Sequence, residues 1–182
     1  MAILLSSVAI NTFFGMPYII LLPVFVQYTL HGGATATALL MAANGFGALV
    51  GALGVAYMAR VAHRPTLIRY GLVAFASSTA GVALSRSLWL TTGLMVVAGA
   101  AFLTIQSACN AGLQAYVPNW VRGRVMALFV LAFMGVMPFS GLVFGMLGDR
   151  IGVPAAILIG SAFVLLWGIV LIARRRLLAE VE

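Results

Sequence analysis

Three amide side chains recur at every fourth position in the second half of the chain, at Gln106, Asn110 and Gln114. Residues four apart on a helix are rotated by only about 40°, so these amides form one polar stripe. The surrounding sequence is apolar, and we expect the stripe to face the protein interior, away from lipid. Two interpretations stay open: a cavity wall that hydrogen-bonds a substrate, or interhelical hydrogen bonds worth on average about 0.6 kcal/mol each.

A second polar face lies near the N-terminus, where Asn11, Gly15 and Tyr18 fall at positions i, i+4 and i+7. Pro17 and Pro23 should bend or interrupt this helix. Broken helices surround binding sites in membrane transporters, although proline is also simply tolerated in apolar helices. The candidate substrate-binding residues are therefore Asn11, Tyr18, Gln106, Asn110 and Gln114.

Six apolar stretches must position these side chains, in a chain that is 64% hydrophobic and 7% charged. A helix needs about 20 residues to cross roughly 30 Å of hydrocarbon. The short third stretch is lengthened if the Arg69 side chain reaches the interface. We predict an all-α integral membrane protein, because open strand edges cannot be satisfied in lipid. The predicted spans, one to six, lie within Ala2–Leu30, Ala34–Ala59, Tyr70–Ser85, Ser87–Val117, Val125–Gly148 and Ile151–Ala173.

The ten arginines lie at the ends of these spans and are strongly sided. Only Arg86 and Arg150 fall on one side of the membrane. An excess of arginine marks the cytoplasmic side, so we expect a cytoplasmic C-terminus and a multi-pass protein of the bacterial inner membrane. The net charge of +7 is thereby explained without a nucleic-acid partner. The arginines on the predicted cytoplasmic side are Arg60, Arg64, Arg69, Arg122, Arg124, Arg174, Arg175 and Arg176.

Two glycine ladders with the same spacing lie in spans two and five, 94 residues apart. Each is the middle helix of a three-helix unit, roughly residues 1–86 and 87–182, and an odd number of crossings inverts the second unit. This pattern is typical of inverted repeats in transporters, although small residues also let helices pack closely in any membrane protein. Asn44 shares the first ladder's face and is expected to mediate packing. The predicted helix-packing residues are Gly47, Gly51, Gly54, Gly141, Gly145 and Gly148.

Catalytic and metal-binding patterns are missing from the sequence. Cys109 stands alone, and no HExxH pair, serine with a membrane-embedded histidine, or phosphate loop ending in lysine occurs. We therefore expect neither an enzyme nor a bound cofactor. No Asp, Glu, Arg or His lies deep in a predicted span, so a coupling group of the kind used by ion-driven transporters is not expected within this chain.

The segment Pro118–Met126, with the motif Arg122-Gly123-Arg124, resembles the cytoplasmic loop between helices ten and eleven of major facilitator superfamily transporters. The closest branch comprises exporters related to the enterobactin exporter, also called transmembrane secretion effectors. The preceding Asn110–Gln114 is similar too, but Asn119 stands where the family often has an acid. Gly145–Gly152 resembles another cytoplasmic signature that would invert the chain, and the distribution of the arginines opposes that alternative.

The resemblance implies that residues 1–182 are one membrane domain, the C-terminal half of such a transporter. The first helix of each unit would then line a central cavity, the middle helices would contact the other half, and the third helices would face lipid. Met1 opens directly into apolar sequence, which is typical of an internal start, and we expect the N-terminal six-helix half to be missing.

The resulting hypothesis is a partial transporter that exports a small molecule, such as a siderophore or drug, by secondary-active alternating access. Its expected partners are the lipid bilayer, the substrate, and the missing half or a second copy. Two alternatives stay open: a complete six-span protein that homodimerises, and a non-transporting partner in a membrane assembly.

Overall fold

A computed structural model describes residues 2–58 and 64–173, and all regular structure in these two ranges is helical. Arg60, Arg174, Arg175 and Arg176 lie outside the described residues. The helices are α1 (Ala2–Gly15), α2 (Pro17–Ile20), α3 (Leu22–Tyr28), α4 (Ala34–Met58), α5 (Arg64–Leu84), α6 (Leu88–Tyr116), α7 (Arg122–Val130), a π-helical turn (Leu131–Gly135), α8 (Met137–Ile151) and α9 (Val153–Ala173).

Six spans that are long and apolar enough to cross a membrane are found among the described residues, as predicted. Span three begins at Pro65, earlier than predicted, because the helix continues through a half-buried Arg69. Span five begins at Arg122, so its first arginines belong to the helix. The inverted relation of the two three-helix units stays a prediction. The spans are Ile3–Tyr28, Ala34–Tyr57, Pro65–Leu84, Leu88–Ala115, Arg122–Ile151 and Val153–Ala173.

Span one is interrupted at Met16 and again at Leu21, as its prolines predict. Pro17 has no N–H, so the carbonyl of Phe13, four residues earlier, loses its usual helical donor. The hydroxyl of Ser140, in span five, donates a hydrogen bond of 2.6 Å to that carbonyl. The break in span one is therefore closed by a side chain 127 residues away in sequence.

Span six also packs against the interruption in span one. The Cα of Gly160 lies so close to the carbonyl of Phe14 that a Cβ at this position would overlap it. Nearer the N-terminus of span one, Trp167 donates from Nε1 to the hydroxyl of Ser7 at 3.0 Å. Small and polar residues thus bring spans one and six into close contact.

Spans three and six, the third helices of the two units, pack against each other. A buried hydrogen bond of 2.9 Å joins the hydroxyls of Thr79 and Ser161. Only their outer faces, which carry exposed residues such as Tyr70 and Leu166, are free to contact lipid. The expectation that the third helices face lipid therefore applies to one face of each helix.

The two glycine ladders have different surroundings. A Cβ on Gly47 or Gly51 would overlap the backbone of Val96 or Ala100 in span four, so these glycines pack inside the six-helix unit. The expectation that this ladder contacts another half is wrong for Gly47 and Gly51, because span four already occupies their face. No described atom lies within 4 Å of a Cβ on Gly54, and its packing role stays a prediction.

In span five the ladder makes only loose contacts within the described structure. The position of a Cβ on Gly141 is 3.6 Å from Ile20, and that on Gly148 is 3.6 Å from Val153, which are ordinary van der Waals distances. Gly145 has no atom within 4 Å of the corresponding position. Equal spacing in sequence therefore does not produce equal packing, and a role for these three glycines toward another helix stays a prediction.

The close approach of spans two and four predicts different costs at two glycines of one ladder. We expect Gly51→Ala to lower the free energy of unfolding by about 1–3 kcal/mol, because the added methyl forces the two backbones apart. Gly54→Ala, the matched control, should be neutral or stabilising by about 0.4–1 kcal/mol. Unfolding in mixed micelles, followed by tryptophan fluorescence, measures both, and equal stability of the two variants would contradict the packing described here.

The hydrogen bond from Ser140 to Phe13 predicts a coupling with Pro17. We expect Ser140→Ala to cost about 1 kcal/mol, since it leaves a carbonyl without a donor inside the membrane. In a Pro17→Ala background the restored N–H supplies that donor, and Ser140→Ala should cost markedly less. A double-mutant cycle in the same unfolding assay measures the coupling. Ser78→Ala, whose hydroxyl donates to the carbonyl of Phe75 in its own helix, is the control, and strict additivity would refute the coupling.

Candidate functional site

The amide stripe on span four runs from the surface into the interior. Gln114 is exposed, Asn110 is half-buried, and Gln106 is buried at 7% exposure. Gln114 donates from Nε2 to Oδ1 of Asn110 at 2.7 Å. The Oε1 atom of Gln106 has no hydrogen-bond partner within the described residues. The stripe therefore ends on a buried acceptor that a ligand's donor could satisfy.

On span one, Asn11 is fully buried. Neither its Oδ1 nor its Nδ2 has a partner in the part of the chain that the structure describes, and the same holds for the hydroxyl of Thr12. Buried polar groups are nearly always paired, and an unpaired one costs about 1–3 kcal/mol on protein scales. Two neighbouring residues with unpaired groups are thus a candidate ligand site.

Asn11 and Gln106 lie at a similar depth in the bundle. Leu4 of span one packs on Gly112 of span four, while Tyr18 and Met95 are joined through Asn44, so the two helices run antiparallel. Asn11 lies seven residues after Leu4, and Ile105, the neighbour of Gln106, lies seven residues before Gly112. Spans one and four thus both contribute, at the same level of the bundle, buried amide atoms that have no partner among the described residues.

Tyr18 has a different environment from the other candidates. Its side chain is 2% exposed, and its hydroxyl accepts a hydrogen bond of 2.7 Å from Nδ2 of Asn44. The same Nδ2 is 3.3 Å from the carbonyl oxygen of Met95. Asn44 therefore connects spans one, two and four, in keeping with its expected packing role. A substrate-binding role for Tyr18 stays a prediction, and it would require this hydrogen bond to open.

An aromatic series lies beside these polar groups and was not visible in the sequence pattern. Tyr18 contacts Phe75 at a ring-centroid distance of 5.5 Å, Phe75 contacts Phe102 at 5.8 Å, and Phe102 contacts Phe133 at 6.2 Å. The four residues belong to spans one, three, four and five. Their rings fill the space between the helices that carry the candidate site.

Phe133 belongs to the π-helical turn Leu131–Gly135 in span five. Single π-helical turns interrupt α-helices frequently at functional sites. Pro138 offers a local cause, because it supplies no N–H to the carbonyl four residues earlier, that of Met134. Pro138 is thus the sequence signal that identifies this segment, and Ser140, which bonds to span one, lies two residues beyond it.

The motif predicted to lie in a loop, Arg122-Gly123-Arg124, is helical in the structure. Arg122, Gly123 and Arg124 are exposed and form the first turn of α7, whereas the connecting loop is Val117–Val121. Long arginine side chains reach the membrane surface from within a helix, which allows the helix to begin at the interface. Asp149 and Arg150 are exposed at the opposite end of the same span.

Among the described residues, no group of three His, Cys, Asp or Glu side chains that could hold a metal ion comes together. The candidate side chains themselves offer neutral hydrogen-bond donors and acceptors in a low-dielectric interior. Each amide offers two donor hydrogens and one acceptor oxygen, which suits a polar, uncharged part of a ligand.

Comparison with known proteins agrees with this architecture. A family model described as transmembrane secretion effector, of the major facilitator type, matches residues 2–182. A search of curated proteins found no match to the chain. The match extends over all six spans, and the family suggests a membrane transporter. The chain therefore belongs to the transmembrane secretion effector family.

Proposed function

We propose that this chain is a six-helix half of a secondary-active exporter, which moves a small molecule across the bacterial inner membrane by alternating access. The observation that carries the proposal is the stripe Gln106, Asn110 and Gln114, whose buried end lies at the level of the unpaired amide of Asn11. Family membership supports transport as the activity. We propose a siderophore or a drug as the substrate, whose uncharged polar groups would pair with these amides.

In this proposal the amides bind the substrate by exchanging hydrogen bonds. Gln114 and Asn110 are paired with each other near the surface, and a substrate that approaches along the stripe would replace that bond. Deeper in the bundle, Asn11 and Gln106 gain partners that they otherwise lack. The interaction strengthens inward, because a hydrogen bond to a desolvated group is worth more than one at a wet surface.

The energising step is assigned to another part of the assembly. The described charged residues lie at or near the ends of spans, with Arg69 the most interior of them. Proton- and ion-driven transporters place an ionisable group near the middle of the membrane. We therefore propose that the coupling residue belongs to the N-terminal six-helix half, and that the two halves rock around the shared site.

The most exposed helices support a partner of this kind. Only 28% of the most apolar window of span two and 17% of that of span five are buried, compared with 56% in span one. Spans two and five are the middle helices of their units, which the family resemblance assigns to the contact between halves. A second copy of this chain is the first alternative for the protein that covers these two helices. A different protein of a membrane assembly is the second alternative.

Substitution of the amides tests the site in the full gene product. We expect Gln106→Leu and Asn11→Leu to lower efflux at least about five-fold, because one unpaired polar group on the substrate costs about 1–3 kcal/mol. Gln27→Leu replaces an exposed amide outside the stripe and should leave efflux unchanged. The measurement is efflux from intact cells, with a panel of fluorescent drugs and ferric siderophores, normalised to the folded protein in the membrane.

The same experiment separates binding from packing. If the amides only join helices, the variants lose stability and membrane abundance, while efflux per folded molecule and its apparent KM stay at the wild-type value. That outcome would remove the amide stripe from the substrate site. A changed KM with normal abundance supports binding.

Cross-linking identifies the partner on the exposed face. In a Cys109→Ala background we expect Leu53→Cys and Leu142→Cys, at exposed positions of spans two and five, to photo-cross-link to a six-helix partner after labelling with benzophenone maleimide, which attaches to the thiol and inserts into a C–H bond of the partner. Leu166→Cys, equally exposed on the outer face of span six, should face lipid and stay unlinked. A product within the same polypeptide supports the N-terminal half, a product of twice the mass indicates a homodimer, and a mixed product indicates a foreign partner.

A further inference from the structure

An apolar groove lies between spans three and four, away from the amide stripe. Its volume is about 380 Å³, and small side chains create it, with Gly71 and Ala74 on one helix and Ala100 and Ala101 on the other. The floor is tight, since a Cβ on Gly71 would come within 2.9 Å of Ile105. Ala74 and Tyr70 are exposed, so the groove opens outward rather than into the bundle core.

A smaller, more polar pocket lies beside this groove, toward the end of span three. It has a volume of about 190 Å³ and is lined by Thr66, Arg69, Tyr70 and Ile172. Thr66 and Tyr70 also line the groove, so the two spaces are neighbours on either side of these residues. Arg69 is in the second turn of α5, near the membrane boundary. A cation therefore lies next to the boundary end of the apolar groove.

This site is separate from the proposed substrate path. Residues advance by about 100° around a helix, so the groove positions Val97, Ala101 and Thr104 cluster on one side of span four. Gln106 and Asn110 then fall roughly on the opposite side. A molecule in the groove and a substrate on the amide stripe would contact different faces of the same helix.

We propose that the groove and its polar pocket bind one anionic phospholipid of the surrounding bilayer. The guanidinium of Arg69 pairs with the headgroup phosphate, the hydroxyl of Thr66 donates to the same oxygens, and one acyl chain occupies the slot between Gly71 and Ala101. The order of the parts matches a lipid in its leaflet, with charge at the boundary and hydrocarbon below. Basic pockets between membrane helices recognise anionic headgroups in this way.

Charge complementarity selects the anionic headgroup. Arginine forms two parallel hydrogen bonds to a phosphate. In a zwitterionic lipid the headgroup cation offsets the charge of the phosphate, whereas in an anionic lipid that charge is not offset. The apolar slot in turn selects a molecule with a long chain over a free anion. Neither feature alone defines the ligand, and the two together define a charged amphiphile.

Native mass spectrometry of the detergent-purified full gene product tests the proposal, with phosphatidylglycerol and phosphatidylcholine as probes. We expect at least ten-fold tighter binding of phosphatidylglycerol. Arg69→Gln should abolish this preference and Arg69→Lys should retain part of it. Arg86→Gln, an exposed arginine at the other end of span three, is the matched control and should bind like the wild type.

A second pair of variants tests the slot without altering charge. Ala74→Phe fills the groove and should weaken the binding of both lipids. Ser77→Phe, at an exposed position three residues further along the same helix and outside the groove lining, should not. A thermal melt of each variant shows whether it is folded. If Arg69→Gln fails to fold, the comparison of Ala74→Phe with Ser77→Phe still tests whether lipid binds in the groove. Three results would each overturn the proposal. The first is equal binding of the two lipids by the wild type, and the second is an equal loss of lipid binding in Arg69→Gln and Arg86→Gln. The third is displacement of the lipid by millimolar glycerophosphoglycerol, which has no acyl chains.

Discussion

The packing of this bundle depends on one backbone carbonyl inside the membrane. Pro17 removes the donor that the carbonyl of Phe13 would have in a continuous helix, and in hydrocarbon no water can replace it. Ser140 supplies the donor, which fixes span five against span one. Around the same break, Gly160 admits the backbone of Phe14, and Tyr18 reaches span two through Asn44. The interruption in span one is thus where contacts from the other spans converge.

Polar groups in the bundle fall into two kinds. Most are committed to a partner within the protein, such as the hydroxyls of Thr79 and Ser161, which bond to each other. Asn11 and Gln106 keep amide atoms that find no partner within the ranges 2–58 and 64–173, despite their burial. Committed groups between helices hold them together at a modest gain per bond in membranes, whereas the uncommitted ones are the groups that we propose to bind a ligand. This division, rather than the mere presence of amides, is what favours a substrate site on spans one and four.

Span four combines three surfaces on a single helix. One surface meets the glycines of span two at Val96 and Ala100, a second carries the amides, and a third lines the groove beside span three. A movement of this helix during alternating access would change all three together. A lipid held by Arg69 and the groove would then respond to the same movement as the substrate, without sharing its site.

The amino-acid sequence by itself determined the six spans, the helical class, the polar stripe and the interruption of span one, because hydropathy, side-chain periodicity and proline act locally. It did not distinguish the ladder of Gly47 and Gly51, which packs on span four, from that of Gly141 and Gly145, which makes no close contact. Nor did it reveal the hydrogen bond between Ser140 and Phe13, or the groove beside Arg69. These features depend on which helix faces of different spans become neighbours, and only the tertiary structure decides that, because spacing along one helix carries no information about the surface opposite.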